Sequence, residues 1–273
     1  MKTPRIAFIG AGNMATSIVG GLLDSGHPPQ MLSAADPFPD SLVKLAQRGP
    51  VVICNSNAEA AADADVIMLA VKPQVMAEAT ASIAQAAASN GALVISIAAG
   101  VTIDAMQLHL GSHAPVVRCM PNTPALLGCG ASALFASATV NEQQKQHAQA
   151  ILAAVGIVRW VPTEAALDTV TALSGSGPAY YFLMMEAMID AACELGLDRD
   201  TATQLTTQTA LGAARMAQES DVDLVELRRR VTSPAGTTER AVNSLEDDQL
   251  RTVIARAMQA AQDRAVEMAR DLG

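Results

Sequence analysis

Arg5-Ile6-Ala7-Phe8-Ile9-Gly10-Ala11-Gly12-Asn13-Met14-Ala15 carries a short apolar run directly into a G-x-G-x-x-A pattern. The run reads as a strand, and Asn13–Ser25 as the helix that follows it. Gly10 permits the tight turn. Gly12 offers no side chain to an approaching pyrophosphate, and Ala15 is small enough for the helix to lie on the strand. The helix N-terminus presents free N–H groups to phosphates. At a strand-to-helix junction the pattern predicts dinucleotide binding. A purely structural turn is the alternative.

Outward from this point, short apolar runs alternate with Ala-rich amphipathic stretches. Arg5–Gly10, Met31–Ala35, Val51–Cys54, Val66–Val71, Ala92–Ile97 and Val116–Cys119 read as strands, with Pro39–Gln47 and Gln74–Ser89 as helices between them. Such alternation implies a parallel sheet with right-handed crossovers. Val66–Val71 is apolar on both faces, as a sheet covered on both sides requires. After Pro162 the character changes. Eleven of the 13 Pro and 12 of the 18 Gly lie up to that point, and the rest reads as a run of helices. The expected fold is α/β: an N-terminal Rossmann-type parallel sheet domain over residues 1–162, then an all-α C-terminal domain over 163–273. The junction near Trp160–Glu164 reads as short and ordered.

Composition narrows the function. Half of the 273 residues are hydrophobic, which excludes disorder as the main state. The net charge of −9 argues against nucleic-acid binding, which needs clustered Lys and Arg. Nearly all of that charge belongs to the part after Pro162, so the sheet domain is close to neutral and open to an anionic ligand. Cys54, Cys119, Cys129 and Cys193 form no C-x-x-C pair, which fits neither a zinc site nor a disulfide framework and suits a reducing, cytoplasmic setting. The apolar run at the start is too short for a signal-peptide core. The uncharged stretch Ala79–Ile103 is interrupted by Gln85, Asn90 and Gly91 and is not expected to span a membrane. His109 and His113 stand four apart without an H-E-x-x-H pattern, and no metal is expected.

Three further features carry chemistry. Asp36 ends the second strand, where an acid accepts from ribose hydroxyls and favours NAD over NADP; capping the turn at Pro37 is its other reading. Ala70-Val71-Lys72-Pro73 ends the fourth strand at the face where such sheets bind ligands. Ser233-Pro234-Ala235-Gly236-Thr237-Thr238 precedes an amphipathic helix, Glu239–Leu245, so its N–H groups and the helix dipole suit a carboxylate. Simple capping by Thr237 or Thr238 is the alternative. Tyr180–Cys193 is apolar on most faces, with Glu186, Asp190 and Glu194 on one stripe. Such a helix must be buried, which points to a homodimer or to the centre of a monomeric bundle.

Arg118-Cys119-Met120-Pro121-Asn122-Thr123-Pro124-Ala125, Leu173-Ser174-Gly175-Ser176-Gly177-Pro178-Ala179-Tyr180-Tyr181 and Val231-Thr232-Ser233-Pro234-Ala235-Gly236-Thr237-Thr238 are too particular to be packing alone. With Phe8–Ala15 and Ala70–Gln74, they resemble the signature segments of pyrroline-5-carboxylate reductase. The resemblance covers nearly the whole chain in the right order. It implies reduction of the C=N bond of L-1-pyrroline-5-carboxylate to L-proline with NADPH or NADH, the last step of proline biosynthesis. It also implies interlocked helical domains in a homodimer, active sites shared between subunits, and larger rings such as decamers. By position it assigns the cofactor to Ile9, Gly10, Ala11, Gly12, Asn13, Met14, Asp36, Asn57, Ala70, Val71, Lys72, Pro73, Ala98, Ala99 and Gly100. It assigns the substrate to Ser233, Gly236, Thr237 and Thr238, with Thr238 nearest the ring nitrogen and Glu164 reaching a partner subunit's site. Two departures stand out. Ala235 replaces the first Gly of a loop that often reads Ser-Pro-Gly-Gly, and Asp36 stands where members that prefer NADPH often have a hydroxyl residue.

No strong acid catalyst is evident, so rate is expected from orientation and proximity, with Thr238 as donor or the substrate arriving protonated. A hydroxyacid dehydrogenase of similar architecture would need a lysine or a His–Glu pair, and the chain after Pro162 contains neither Lys nor His. A nucleotide-sensing protein without turnover is the non-enzymatic rival.

Overall fold

The computed structural model describes residues 3–272. Eight strands form one sheet: β1 (Ile6–Ile9), β2 (Leu32–Ala35), β3 (Val52–Ile53), β4 (Val66–Leu69), β5 (Leu93–Ser96), β6 (Val116–Met120), β7 (Gly130–Ala136) and β8 (Gly156–Trp160). Their order is β3-β2-β1-β4-β5-β6-β7-β8. The pairs from β3 through β6 are parallel. This is the doubly wound order that places ligands at the carboxyl ends of the strands. The helices of this part are α1 (Asn13–Asp24), α2 (Pro39–Ala46), α3 (Asn57–Ala61), α4 (Met76–Asn90), α5 (Ile103–Leu110), α6 (Glu142–Ala153) and α7 (Ala166–Val170).

The sheet is not wholly parallel. β7 runs antiparallel to β6, with Met120 opposite Ala133, and β8 is parallel to β7. These two strands escape a reading by apolar runs. Gly130–Ala136 is built of Gly, Ala and Ser around one Leu and one Phe, a poor strand composition held by its neighbours. The stretch Ala79–Ile103 divides as its polar interruption suggests, into α4, a left-handed Gly91 and β5. No helix among the described residues is long and apolar enough to cross a membrane.

Strand alternation buries both faces. Ile6, Phe8, Val66, Met68, Leu93 and Ile95 pack with Ile18 and Val19 of α1 and Ile151 and Leu152 of α6. Ala7, Ile9, Ile67, Leu69 and Val94 pack with Met76 and Ile83 of α4 and Met106 of α5. Full burial of each large side chain contributes roughly 1.5–3 kcal/mol. The sheet is therefore a rigid base for the loops at its ends.

The remaining helices are α8 (Gly177–Glu194), α9 (Arg199–Glu219), α10 (Leu224–Arg230), α11 (Thr237–Asp247) and α12 (Leu250–Leu272). By packing, the chain forms two compact units. One holds the chain through Ser176 together with the segment from Ala260 on, and the other holds Gly177–Gln259. The connection from β8 to α7 is short, and 163–176 packs with the sheet unit. There Thr171–Gly175 forms a π-helical turn. Within the second unit α8 is nearly bare: Gly177 is its only buried residue, while Tyr181, Phe182 and Leu183 are 72%, 63% and 66% exposed.

Candidate active site

The carboxyl ends of β1, β4 and β5 carry most of the predicted cofactor residues, while Asp36 follows β2 and Asn57 opens α3 after β3. Gly10 has φ +95°, and a Cβ there would lie 2.6 Å from the Ala70 carbonyl oxygen. Its N–H donates to Ala35 O at 2.8 Å, and the Ala70 N–H donates to Ile9 O at 2.8 Å. The crossover is thus stitched to its neighbours on both sides. Gly12 is the N-cap of α1, without a side-chain cap and with no acid in the first turn. A Cβ on Gly12 would meet nothing within 4 Å. The first-turn N–H groups of Asn13 and Met14 have no intrahelical partner, and an uncapped helix start of this kind suits a pyrophosphate.

Asp36 serves the same loop. Its Oδ2 accepts from the Ala11 N–H at 2.7 Å, and its Oδ1 accepts from the Phe38 N–H at 2.8 Å. One carboxylate therefore fixes the glycine loop and caps the turn through Pro37. Each oxygen retains a lone pair that a ribose hydroxyl can use. Lys72 is exposed and begins a short 3-10 turn, Pro73–Val75. Asn57 opens α3, and its Nδ2 donates to Ser82 Oγ at 3.0 Å. Ala98–Gly100 follows β5. Ser96 Oγ accepts from the Ala98 N–H at 3.3 Å, and a Cβ on Gly100 would lie 3.0 Å from Met268 Cβ.

Glu164 is anchored inside the sheet unit. Its Oε1 accepts from Arg118 Nη1 at 2.7 Å and from the Ile103 N–H at 2.8 Å. The Arg118 side chain is 7% exposed and that of Glu164 28%. Nearby Asp168 has its carboxyl held above the usual range by burial, with the Arg118 charge pulling it down and Glu164 pushing it up. Removing Arg118 would leave the Glu164 carboxylate with the Ile103 N–H and no counter-charge. Arg118→Ala should cost about 3 kcal/mol of stability, the low end for a broken buried pair. Urea unfolding reads this directly, and an unmoved midpoint would mean that water satisfies Glu164 by itself.

The second cluster lies in the helical unit. Gly236 is the N-cap of α11, again without a side-chain cap, and Thr237 and Thr238 form its exposed first turn. A Cβ on Gly236 would stand 2.9 Å from Ser233 O, whose oxygen accepts from the Gly236 N–H at 3.0 Å. Ala235 adopts φ +56°. Its N–H donates to Glu239 Oε2 at 2.8 Å.

Three residues escaped the sequence reading. Arg118 and Asn122 lie in a quoted segment, but nothing local signals their partners. Asn122 Nδ2 donates to Ser174 O at 3.0 Å, and its Oδ1 accepts from the Ala131 N–H at 2.9 Å, tying the end of β6 to β7 and the π turn. Glu239 had a local signal, an acid three residues after an N-cap glycine.

A family model described as pyrroline-5-carboxylate reductase dimerisation matches residues 164–268. Another, described as NADP oxidoreductase coenzyme F420-dependent, matches 5–100. The chain is 52% identical over 273 residues to a pyrroline-5-carboxylate reductase of Pseudomonas aeruginosa, covering 100% of both. A solved pyrroline-5-carboxylate reductase from Coxiella burnetii superposes with a TM-score of 0.95 at 44% identity, covering 98% of this chain and 99% of that one. A Plasmodium falciparum pyrroline carboxylate reductase, solved with NADP bound, gives 0.86 at 30% identity, with 98% and 99% covered.

Proposed function

The chain belongs to the pyrroline-5-carboxylate reductase family, and from that membership we propose how its own residues divide the work. It is an NAD(P)-dependent oxidoreductase that converts 1-pyrroline-5-carboxylate to proline. Residues 1–162 bind the cofactor, and 163–273 supply the substrate loop and the dimer contacts. The start of the dimerisation match at residue 164 supports this division.

The observation that carries the reading is a pair of helices, α1 and α11, that begin at bare glycine N-caps. Of the other helices, α3, α5, α6, α9 and α10 are capped by Ser56, Thr102, Asn141, Asp198 and Asp223, while α2, α4 and α7 start without a side-chain cap at Phe38, Val75 and Ala165, none of them glycine. An uncapped helix start leaves donors for an anion. Ile9–Met14 takes the pyrophosphate. Asp36 and Asn57 face the adenosine half, while Ala70–Pro73 and Ala98–Gly100 line the path towards the nicotinamide. Bound NAD(P)H supplies the hydride for the imine carbon. Ser233, Gly236, Thr237 and Thr238 hold the substrate carboxylate, and the Thr238 hydroxyl hydrogen-bonds the ring nitrogen that ends protonated. Both bonds to Glu164 fall on Oε1, which leaves Oε2 for a contact across the dimer.

Thr238→Ala tests this assignment. A hydrogen bond to a charged group is worth about 1.5–3 kcal/mol, so kcat/KM for the imine should fall about tenfold to a hundredfold with KM for NAD(P)H unchanged. Unaltered turnover and substrate affinity would remove Thr238 from the mechanism.

The bare apolar face of α8 supports a homodimer, and rings of dimers up to decamers extend the same reading. Four free cysteines suit a reducing cytoplasm. Light scattering on the purified enzyme separates dimer from ring.

A further inference from the structure

Among the described residues, Ala235 and Gln249 are the only non-glycine positions with positive φ. Gln249 lies in the link between α11 and α12, but Ala235 lies inside the loop assigned to the substrate. A side chain at φ +56° is strained, and such strain persists only where neighbours hold it. The neighbour here is Glu239. It stands in the first turn of α11, and its Oε2 reaches back to the Ala235 N–H at 2.8 Å. The Gly236 N–H is already committed to Ser233 O. The donors left at the helix start are therefore the N–H groups of Thr237, Thr238 and Glu239, and the first two carry hydroxyls as well.

We propose that Glu239 is a positioning residue for the substrate: its carboxylate holds Ala235 in the left-handed turn and thereby keeps the Thr237 and Thr238 donors aligned before the substrate carboxylate arrives. The inference rests on the reading of Ser233–Thr238 as the substrate loop. It assigns Glu239 the work that a glycine at position 235 would do by conformational freedom alone. The cost is a negative charge close to a site for an anion, which the glutamine variant exposes.

Steady-state kinetics with pyrroline-5-carboxylate, on the full-length enzyme, tests it. Glu239→Ala should raise the KM for the imine about tenfold, with kcat within twofold and the KM for NAD(P)H unchanged. Glu239→Gln keeps an acceptor for the Ala235 N–H without the charge, and its KM should equal or undercut the parent value. Adding Ala235→Gly to Glu239→Ala should return the KM to within about threefold of the parent, because glycine adopts the turn unaided. An unchanged KM in Glu239→Ala, beside a raised one in Thr238→Ala, would overturn the positioning role and leave the loop assignment standing. An equal fall in KM for Glu239→Ala and Glu239→Gln would also overturn it, showing only charge repulsion. If Thr238→Ala and Gly236→Val also leave the imine KM unchanged, the loop assignment fails and takes the proposal with it.

Discussion

Gly12→Val should raise the KM for NADPH and for NADH at least a hundredfold while the protein still folds. The two outcomes separate because Gly12 faces open space: beyond its own chain neighbours, nothing lies within 4 Å of the position its Cβ would take. The backbone there has φ −68° and ψ −177°, which any residue adopts. The fold loses only the difference between glycine and valine as an N-cap, about 1 kcal/mol, or roughly 2–4 °C in Tm for a chain of this size. The cofactor loses much more. A valine side chain fills the space in front of the Asn13 and Met14 N–H groups and pushes the pyrophosphate off the helix end. Two charge-assisted hydrogen bonds at about 1.5–3 kcal/mol each account for the hundredfold. Gly10→Val would not make the same test. Its Cβ would stand 2.6 Å from the Ala70 oxygen at φ +95°, so folding and binding would fail together. Isothermal titration of Gly12→Val with NADPH, beside its thermal melt, decides the matter. An unaltered Kd would move the phosphate site away from α1.

The two glycines also show how far the sequence could be read. G-x-G-x-x-A names both positions, but only the structure divides them into one whose Cβ would clash with the fold and one that stands in open space. The parallel strands were legible because each is a compact apolar run between turn residues, as in Val66–Leu69. β7 was not, because an antiparallel partner can hold a strand of Ala, Ser and Gly that has little preference of its own; β8, a parallel neighbour of β7, is broken by Arg159 between Ile157-Val158 and Trp160 and was passed over despite those strand formers. The π turn at Thr171–Gly175 has no periodicity to betray it. It is held from a distance by Asn122, whose bond to Ser174 O spans residues that no local pattern connects. The Arg118–Glu164 pair is similar: an arginine inside an apolar strand signals a buried partner, but not which acid supplies it. Ala235 was legible as a departure, whereas Glu239, whose carboxylate accepts its N–H, was signalled only by its place three residues after Gly236.

Asp36→Ser should shift the ratio of kcat/KM for NADPH over NADH about a hundredfold towards NADPH. The stretch from Asp36 through the start of α2 holds two acids, Asp36 and Asp40, before its first base, Lys44. A 2′-phosphate placed about 6 Å from the Asp36 carboxylate, at an effective dielectric of about 20, meets about 3 kcal/mol of repulsion per unit charge. NADH has no such phosphate and can use the carboxylate as a ribose acceptor. The substitution has a second effect, because Asp36 also holds the Ala11 N–H. Losing that bond loosens the glycine loop for both cofactors alike, so it lowers both values and cancels in the ratio. Asp36→Asn isolates the charge, since its one remaining oxygen can still accept from the Ala11 N–H. It should shift the ratio nearly as far as Ser while sparing the absolute rate with NADH. A ratio that stays fixed in both variants would place the 2′ position beyond the reach of Asp36. The carboxylate would then be a loop clamp alone, and the two hydrogen bonds to Ala11 and Phe38 would account for its presence.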